Sequence, residues 1–211
     1  MDAIFVFLGL VVAITIGSLF LILCQTPRQQ RTSAKEIEGT GFIPSQMYMG
    51  SDGLSGLAVN EHTQQICLLG NPSHAPRILP INRLLETFLI HNGELIGEGK
   101  RSHPQEAVIF LQDNERTKQS QIAQLHSFGS PKGNQRIDLV VTVLDEIHPY
   151  HVVNFLDMET KVGGIILEKA LTTSKHWHYV LDGLILQADQ KALKDNEAPV
   201  ENKKEAVKVP T

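Results

Sequence analysis

Histidine is the residue through which this chain could most readily do chemistry. There are nine, and His148, His151, His176 and His178 fall at spacings that suggest a ligand set. His176 and His178 are two apart in an apolar-periodic stretch. On a helix they point about 200° from one another, so one ion could not take both. A helical ligand pair needs a spacing of three or four. His148 and His151 straddle Pro149 at a turn, and two cysteines in the whole chain leave no sulfur-rich set to complete a site. The expectation is no metal, with His178 on a buried stripe bonded to backbone or to a strand and the other histidines solvated. The serines lack the Gly-x-Ser-x-Gly elbow of a hydrolase. Gly50, Gly53 and Gly56 precede the first strand of the leading hairpin, the wrong context for a phosphate cradle. Gly93, Gly97 and Gly99 belong to a hairpin and are expected to permit a tight turn, bulge or bend. Asp138 and Glu146 suit strand ends and turns, with no partner carboxylate. Neither a catalytic constellation nor a cofactor site emerges, so the chain reads as a non-enzyme.

Charge narrows the partners further. The net charge of -4 argues against nucleic acid, whose phosphates demand clustered Lys and Arg. Anionic lipid headgroups need a basic cluster too, and the loop Asn60-Glu61-His62-Thr63-Gln64-Gln65 has no cation. Lys100 and Arg101 are the tight basic pair of the strand region. Cys24 and Cys67 sit in an apolar segment and an apparent strand respectively. That placement fits unpaired thiols in a reducing compartment better than a disulfide framework.

The elements that would position any site begin with the N-terminus. From Ala3 to Cys24 no charged residue occurs. About 22 residues at 1.5 Å rise reach roughly 33 Å, the hydrocarbon thickness of a bilayer. A cleaved signal peptide would want a positive start, a shorter apolar run and a small-x-small cleavage site, none of which is present. Residues 3–24 therefore read as a single transmembrane anchor in contact with the lipid bilayer. Asp2 precedes it while Arg28, Arg31 and Lys35 follow it. The positive-inside rule then places the N-terminus outside and the rest of the chain on the cytoplasmic side of a cell inner membrane. Gly9, Ala13 and Gly17 recur every four residues, a spacing at which two spanning helices approach backbone to backbone, which raises a homodimer.

Beyond residues 1–25, residues 26–45 read as a polar linker, 46–190 as one globular domain and 191–211 as a disordered tail. Alternating apolar runs predict a hairpin at 56–59 and 66–69, an edge run at 77–81 bent by Pro80, and a second hairpin about Asn92-Gly93 linking 83–91 to 94–99. The stretch 105–126 is expected to start as a strand at Ala107–Leu111 and pass into a polar helix, and 127–136 is expected to be a loop. Strands resume at 137–144 and 151–156 around His148-Pro149. Ile166, Leu167, Ala170, Leu171, Ser174, Trp177, His178, Leu181, Leu184, Ile185 and Ala188 then repeat at three and four, predicting an amphipathic helix over 164–189.

Some seven antiparallel strands followed by one long helix define an α+β class. The stretch Asp52-Gly53-Leu54-Ser55-Gly56-Leu57-Ala58-Val59-Asn60 with Ile66-Cys67-Leu68, the segment Pro149-Tyr150-His151-Val152-Val153-Asn154-Phe155-Leu156, and the helix bearing His176-Trp177-His178 resemble uncharacterised bacterial membrane-anchored proteins with a pleckstrin-homology-like domain. The resemblance spans most of Met49 to Asp189 apart from 102–136. It implies a partly open antiparallel barrel closed by the C-terminal helix, and a binding role without a named ligand. Trp177, the one tryptophan, is expected to plug the open end of the sheet, with an exposed binding anchor as the other role for that ring.

The function expected from the sequence is thus a membrane-tethered, non-catalytic adaptor for an unknown membrane-proximal protein partner. The alternative is a structural subunit that oligomerises through Gly9, Ala13 and Gly17.

Overall fold

The structure, a computed structural model, describes residues 39–70, 75–118, 120 and 134–197. The chain divides into two units, Met1–Ile43 and Pro44–Thr211. Of the first, a turn at 39–41 is described, with Gly41 at φ +76°. The segment 3–24 expected to be an anchor, with Gly9, Ala13 and Gly17, lies outside the described residues, as does the stretch 198–211 of the expected tail. No helix among the described residues is long and apolar enough to cross a membrane. All that follows concerns the second unit.

It is α+β. Four strands, β1 (Gln46–Met49), β2 (Gly56–Asn60), β3 (Gln65–Leu69) and β4 (Arg77–Pro80), form one antiparallel sheet in sequence order. A 3-10 turn at Ile81–Arg83 leads into the second sheet, built from β5 (Leu84–His91), β6 (Glu94–Lys100), β7 (Asn134–Val143) and β8 (Tyr150–Glu159) in the order β6-β5-β7-β8. Helix α1 (Gln105–Asp113) follows β6, and helix α2 (Ile165–Glu197) ends the unit. The two sheets do not join into a closed barrel.

Local chemistry explains the turns. Asn60 Oδ1 accepts from the amides of His62 and Thr63, both at 2.9 Å, an Asx turn that folds β2 onto β3 with Gly56 opposite Leu69 and Asn60 opposite Gln65. Asn92 (φ +49°) and Gly93 (φ +84°) both take left-handed backbone, the primed turn whose twist matches that of the flanking strands. The helix α2 buries Ser174, Trp177, His178, Leu181, Leu184, Ile185 and Ala188, the three-and-four stripe read from the sequence. Trp177, Leu181, Leu184 and Ile185 join one core with Leu57, Val59 and Ile66 of the first sheet and Leu89, Leu139 and Val153 of the second. Burying each large aliphatic stabilises the fold by about 1.5–3 kcal/mol. Tyr48 stacks on Phe155 with ring centroids 4.1 Å apart. Burial, helped by nearby Asp52, pushes its phenol up to about 12, so it stays neutral.

Three elements depart from the sequence expectation. Ala107–Leu111 is helical, inside α1, because Ala107 and Leu111, four apart, are the residues that bury; a strand would have alternated. Asn134–Arg136, expected in a loop, begins β7. The final helix runs to Glu197, eight residues past Asp189 and into the stretch expected to be tail. Strand β1 adds to the expected set, so the described residues hold eight strands where some seven were expected.

The second sheet has two unlike faces. Thr87 and Leu89 of β5 face α2, while Glu86, Phe88 and Ile90 face the other way, where Phe88 and Ile90 pack on Val140. Residues 115–118 are helical and bring Lys118 to 2.8 Å from Glu86 and 4.4 Å above the Phe88 ring. Burial pushes the Glu86 carboxyl up, against the pull of Lys118.

Candidate functional site

Each sheet has two outer strands, and the chain treats them differently. In the first sheet, β4 carries Pro80, which has no amide to offer, and Arg77 at its other end pairs with Asp145 at 2.6 Å. Strand β1 is four residues long, and the Ser45 amide just before it still bonds back to Val59 O at 2.8 Å. In the second sheet, β8 is tied towards β2, since Ser51 N donates to Asn154 O at 2.8 Å and His151 Nε2 meets Gly56 O at 3.1 Å. Among the described residues that leaves β6: seven residues, no proline, and Leu95 50% and Ile96 41% exposed. A long, unblocked, partly apolar edge is a template for another strand.

What positions β6 is α2. Building a Cβ on Gly97 would place it 2.8 Å from His178 Nε2, and one on Gly99 would meet the Asp182 carboxylate and, at 3.0 Å, Thr87 Oγ1. These two glycines therefore exist for close helix–strand approach, while the expected turn belongs to Gly93. The expected bulge is also there: Leu89 pairs with Gly97 and Ile90 with Leu95, leaving Ile96 as the extra residue. His178 is buried on the stripe as expected, with Nδ1 3.3 Å from Thr87 Oγ1. Burial depresses its basicity, against the opposing charge of Asp182. Beside the strand, α2 exposes Tyr179 (68%) and Leu186 (54%).

At its C-terminal end β6 is locked. Arg101 (2% exposed) pairs through Nε with the Asp189 carboxylate (5% exposed) on α2. The amide and hydroxyl of Ser102 both donate to Asp189 Oδ2 at 2.8 Å, and the His103 amide donates to Oδ1 at 3.1 Å. Arg101 also donates to His103 O at 2.7 Å and Asn82 O at 3.1 Å. Burial opposes ionisation of Asp189, but these donors from Ser102, Arg101 and His103 hold its carboxyl below the ordinary 3.8. Nothing local in the sequence links residues 101 and 189. A cleft of about 460 Å³ opens next to this lock, lined by Arg83, Arg101, Glu106, Lys191 and Asp195 among others. Its charges nearly balance, and among the described residues no nucleophile–base pair faces it.

The remaining residues singled out from sequence scatter. Trp177 is 4% exposed, tilted against Tyr48 at 6.3 Å, so its ring lies in the core. His176 is exposed and meets Gln46 Oε1 at 3.2 Å, and His148 is exposed. His151, expected to be solvated, is instead held at the seam between β8 and β2, and burial lowers its basicity. Asp138, expected alone, is buried and pairs with Arg136 at 2.6 Å while accepting from Asn154 Nδ2 at 2.8 Å. Cys67 is a buried free thiol pushed up to about 11 by burial, too weakly acidic to act as a nucleophile at neutral pH. Among the described residues no three His, Cys, Asp or Glu converge. No family model, no curated protein and no solved structure matches this chain. The β6 edge is the candidate site, and its chemistry is backbone pairing.

Proposed function

We propose that this chain is a membrane-anchored, non-catalytic binding module that takes up an extended segment of a membrane-proximal protein along β6, beside α2. The observation that carries the reading is the β6 edge, which is long, free of proline, exposes Leu95 and Ile96, and is held firmly from behind by α2. Main-chain pairing along such an edge supplies affinity, and side-chain pockets next to it supply selectivity. Tyr179 and Leu186 are the side chains of α2 placed to provide that selectivity. Residues 3–24 hold the module in the cell inner membrane and Arg28, Arg31 and Lys35 keep it on the cytoplasmic side, raising its local concentration for partners at the same surface. Kinship with pleckstrin-homology-like domains belongs to the same proposal. Two four-stranded antiparallel sheets followed by a long C-terminal helix support it.

The test is a photo-crosslinking amino acid at Leu95 in the full chain in intact cells, compared with the same probe at Ile147, 80% exposed on the β7–β8 connection. Discrete protein adducts at Leu95, enriched over Ile147, are expected. Equal adducts at both positions would remove the β6 edge as the binding surface.

A further inference from the structure

We propose that the strand taken up by β6 is β6 of a second copy of this chain, laid antiparallel about Gly99. This rests on the reading of β6 as a protein-binding edge and names its occupant.

The backbone comes first. The Arg101 amide donates to Leu85 O at 2.8 Å, so residue 101 points its main-chain polar groups into the sheet. By the two-residue period of a strand, Gly99 and Gly97 point inward as well. Glu98 and Lys100 turn theirs outward, to the edge that no described strand pairs with. An antiparallel copy centred on Gly99 sets Glu98 of each chain opposite Lys100 of the other. Those are hydrogen-bonding positions on both strands, and the match gives four main-chain bonds about the two-fold axis. The run from Gly97 to Arg101 is regular, because the bulge lies earlier, at Ile96.

Side chains make the same selection. Glu98 pairs with Phe88 and Lys100 with Glu86 across β5, which places both side chains on the sheet face away from α2. Both are exposed. In the antiparallel arrangement each Glu98 meets a Lys100, twice over; a parallel, in-register copy would set glutamate on glutamate and lysine on lysine, which is repulsive. Lys100 has no ion pair among the described residues, and Glu98 has a long one, 3.5 Å to Lys118, whose nearer partner is Glu86 at 2.8 Å. Gly97 and Gly99 put no side chain on the α2 face of the seam. Five paired residues form far less than the roughly 1,200–2,000 Å² of a stable soluble interface. The pairing therefore depends on confinement of both copies to one surface, which raises their effective concentration.

The experiment uses the full chain in phospholipid vesicles, in a Cys24→Ser background with the buried Cys67 retained. Two differently tagged populations carry Glu98→Cys and Lys100→Cys. Directly opposed hydrogen-bonded positions have Cα atoms about 5.5 Å apart, within disulfide range. Mixed-tag disulfides are expected at about tenfold the yield of same-tag ones. In parallel, energy transfer between chains labelled at Ile147→Cys reads the dimer population. Glu98→Lys or Lys100→Glu alone should lower it several-fold, and the double exchange Glu98→Lys/Lys100→Glu should restore it. No excess of mixed disulfide, or no restoration by the double exchange, overturns the second copy as occupant. If the Leu95 photoprobe still captures a different protein in that case, the binding edge stands and only its occupant changes. If it captures nothing, both readings fall together.

Discussion

The two ends of β6 are finished in opposite ways. At Arg101 the chain leaves the strand through a buried ion pair in which Asp189 accepts from Arg101, Ser102 and His103. At Leu95 and Ile96 the same strand exposes apolar side chains and a backbone edge that no described strand pairs with. Burying two charges is favourable only where hydrogen bonds satisfy them, and the closed end meets that condition. The open end is tolerable because the closed end, with the Gly97 and Gly99 contacts to His178 and Asp182, keeps the strand flat against α2. A rigid edge loses little entropy when another strand adds to it. The lock and the candidate edge are two parts of one strand held by α2.

The comparison breaks most readily at the lock. Asp189→Ala strands the Arg101 charge in a buried position, and urea denaturation should show a loss of about 3–5 kcal/mol. A loss below about 1 kcal/mol would mean that Arg101 finds water or another acceptor and that the closed end is not what holds β6. Next in size is the glycine contact. Gly97→Ala drives a methyl into the His178 ring and should cost about 1–3 kcal/mol. His178→Ala opens the space, so the double variant should cost clearly less than the sum of the two singles. Strict additivity would show that α2 and β6 do not press on each other there.

How much of this was legible in the sequence depends on the range of the signal. The Asn92-Gly93 hairpin and the α2 stripe were legible because turn chemistry and the 3.6 period are local. Ala107-Val108-Ile109-Phe110-Leu111 misled, because a short apolar run with β-branched residues suits either strand or helix. Burial of Ala107 and Leu111 alone decides between them. The stretch after Asp189 misled for the converse reason. Lys191 to Glu197 has no apolar period, yet Lys, Ala, Leu and Glu propagate a helix already nucleated by packing. The lock joins residues 88 apart in sequence, and no spacing rule reaches that far. The role of Gly97 and Gly99 was hidden in the same way, since the side chains they accommodate belong to another element.

Acid should sharpen the contrast by acting on the seams behind the edge. Burial depresses the basicity of both His178 and His151 below the ordinary 6.5. A depressed histidine is neutral in the fold and protonates more readily once unfolded. Stability is therefore complete above about pH 6.5 and declines as the pH falls through that value towards the folded-state pKa of each. Thermal melts between pH 7.5 and 5 should show the decline, and His178→Gln should remove its share and flatten the slope. An unchanged slope in that variant would assign the acid sensitivity to His151 and the β2–β8 seam.

The smallest expected effect on the fold bears most directly on the site. Leu95 is half exposed at the open end, so Leu95→Lys should alter stability by no more than about 0.5 kcal/mol. A lysine on an edge strand is also a device that natural sheets use to repel further pairing. If β6 binds through its backbone edge, this one substitution, next to the paired run, should weaken strand capture several-fold while melts and denaturation curves stay as they were. The mirror case is Asp189→Asn, which keeps the size of the side chain at the lock while removing its charge. It should weaken the fold first and capture only as a consequence, so that capture falls in proportion to the fraction unfolded. Two variants, one moving binding without stability and the other moving binding only through stability, separate the edge that does the work from the lock that presents it.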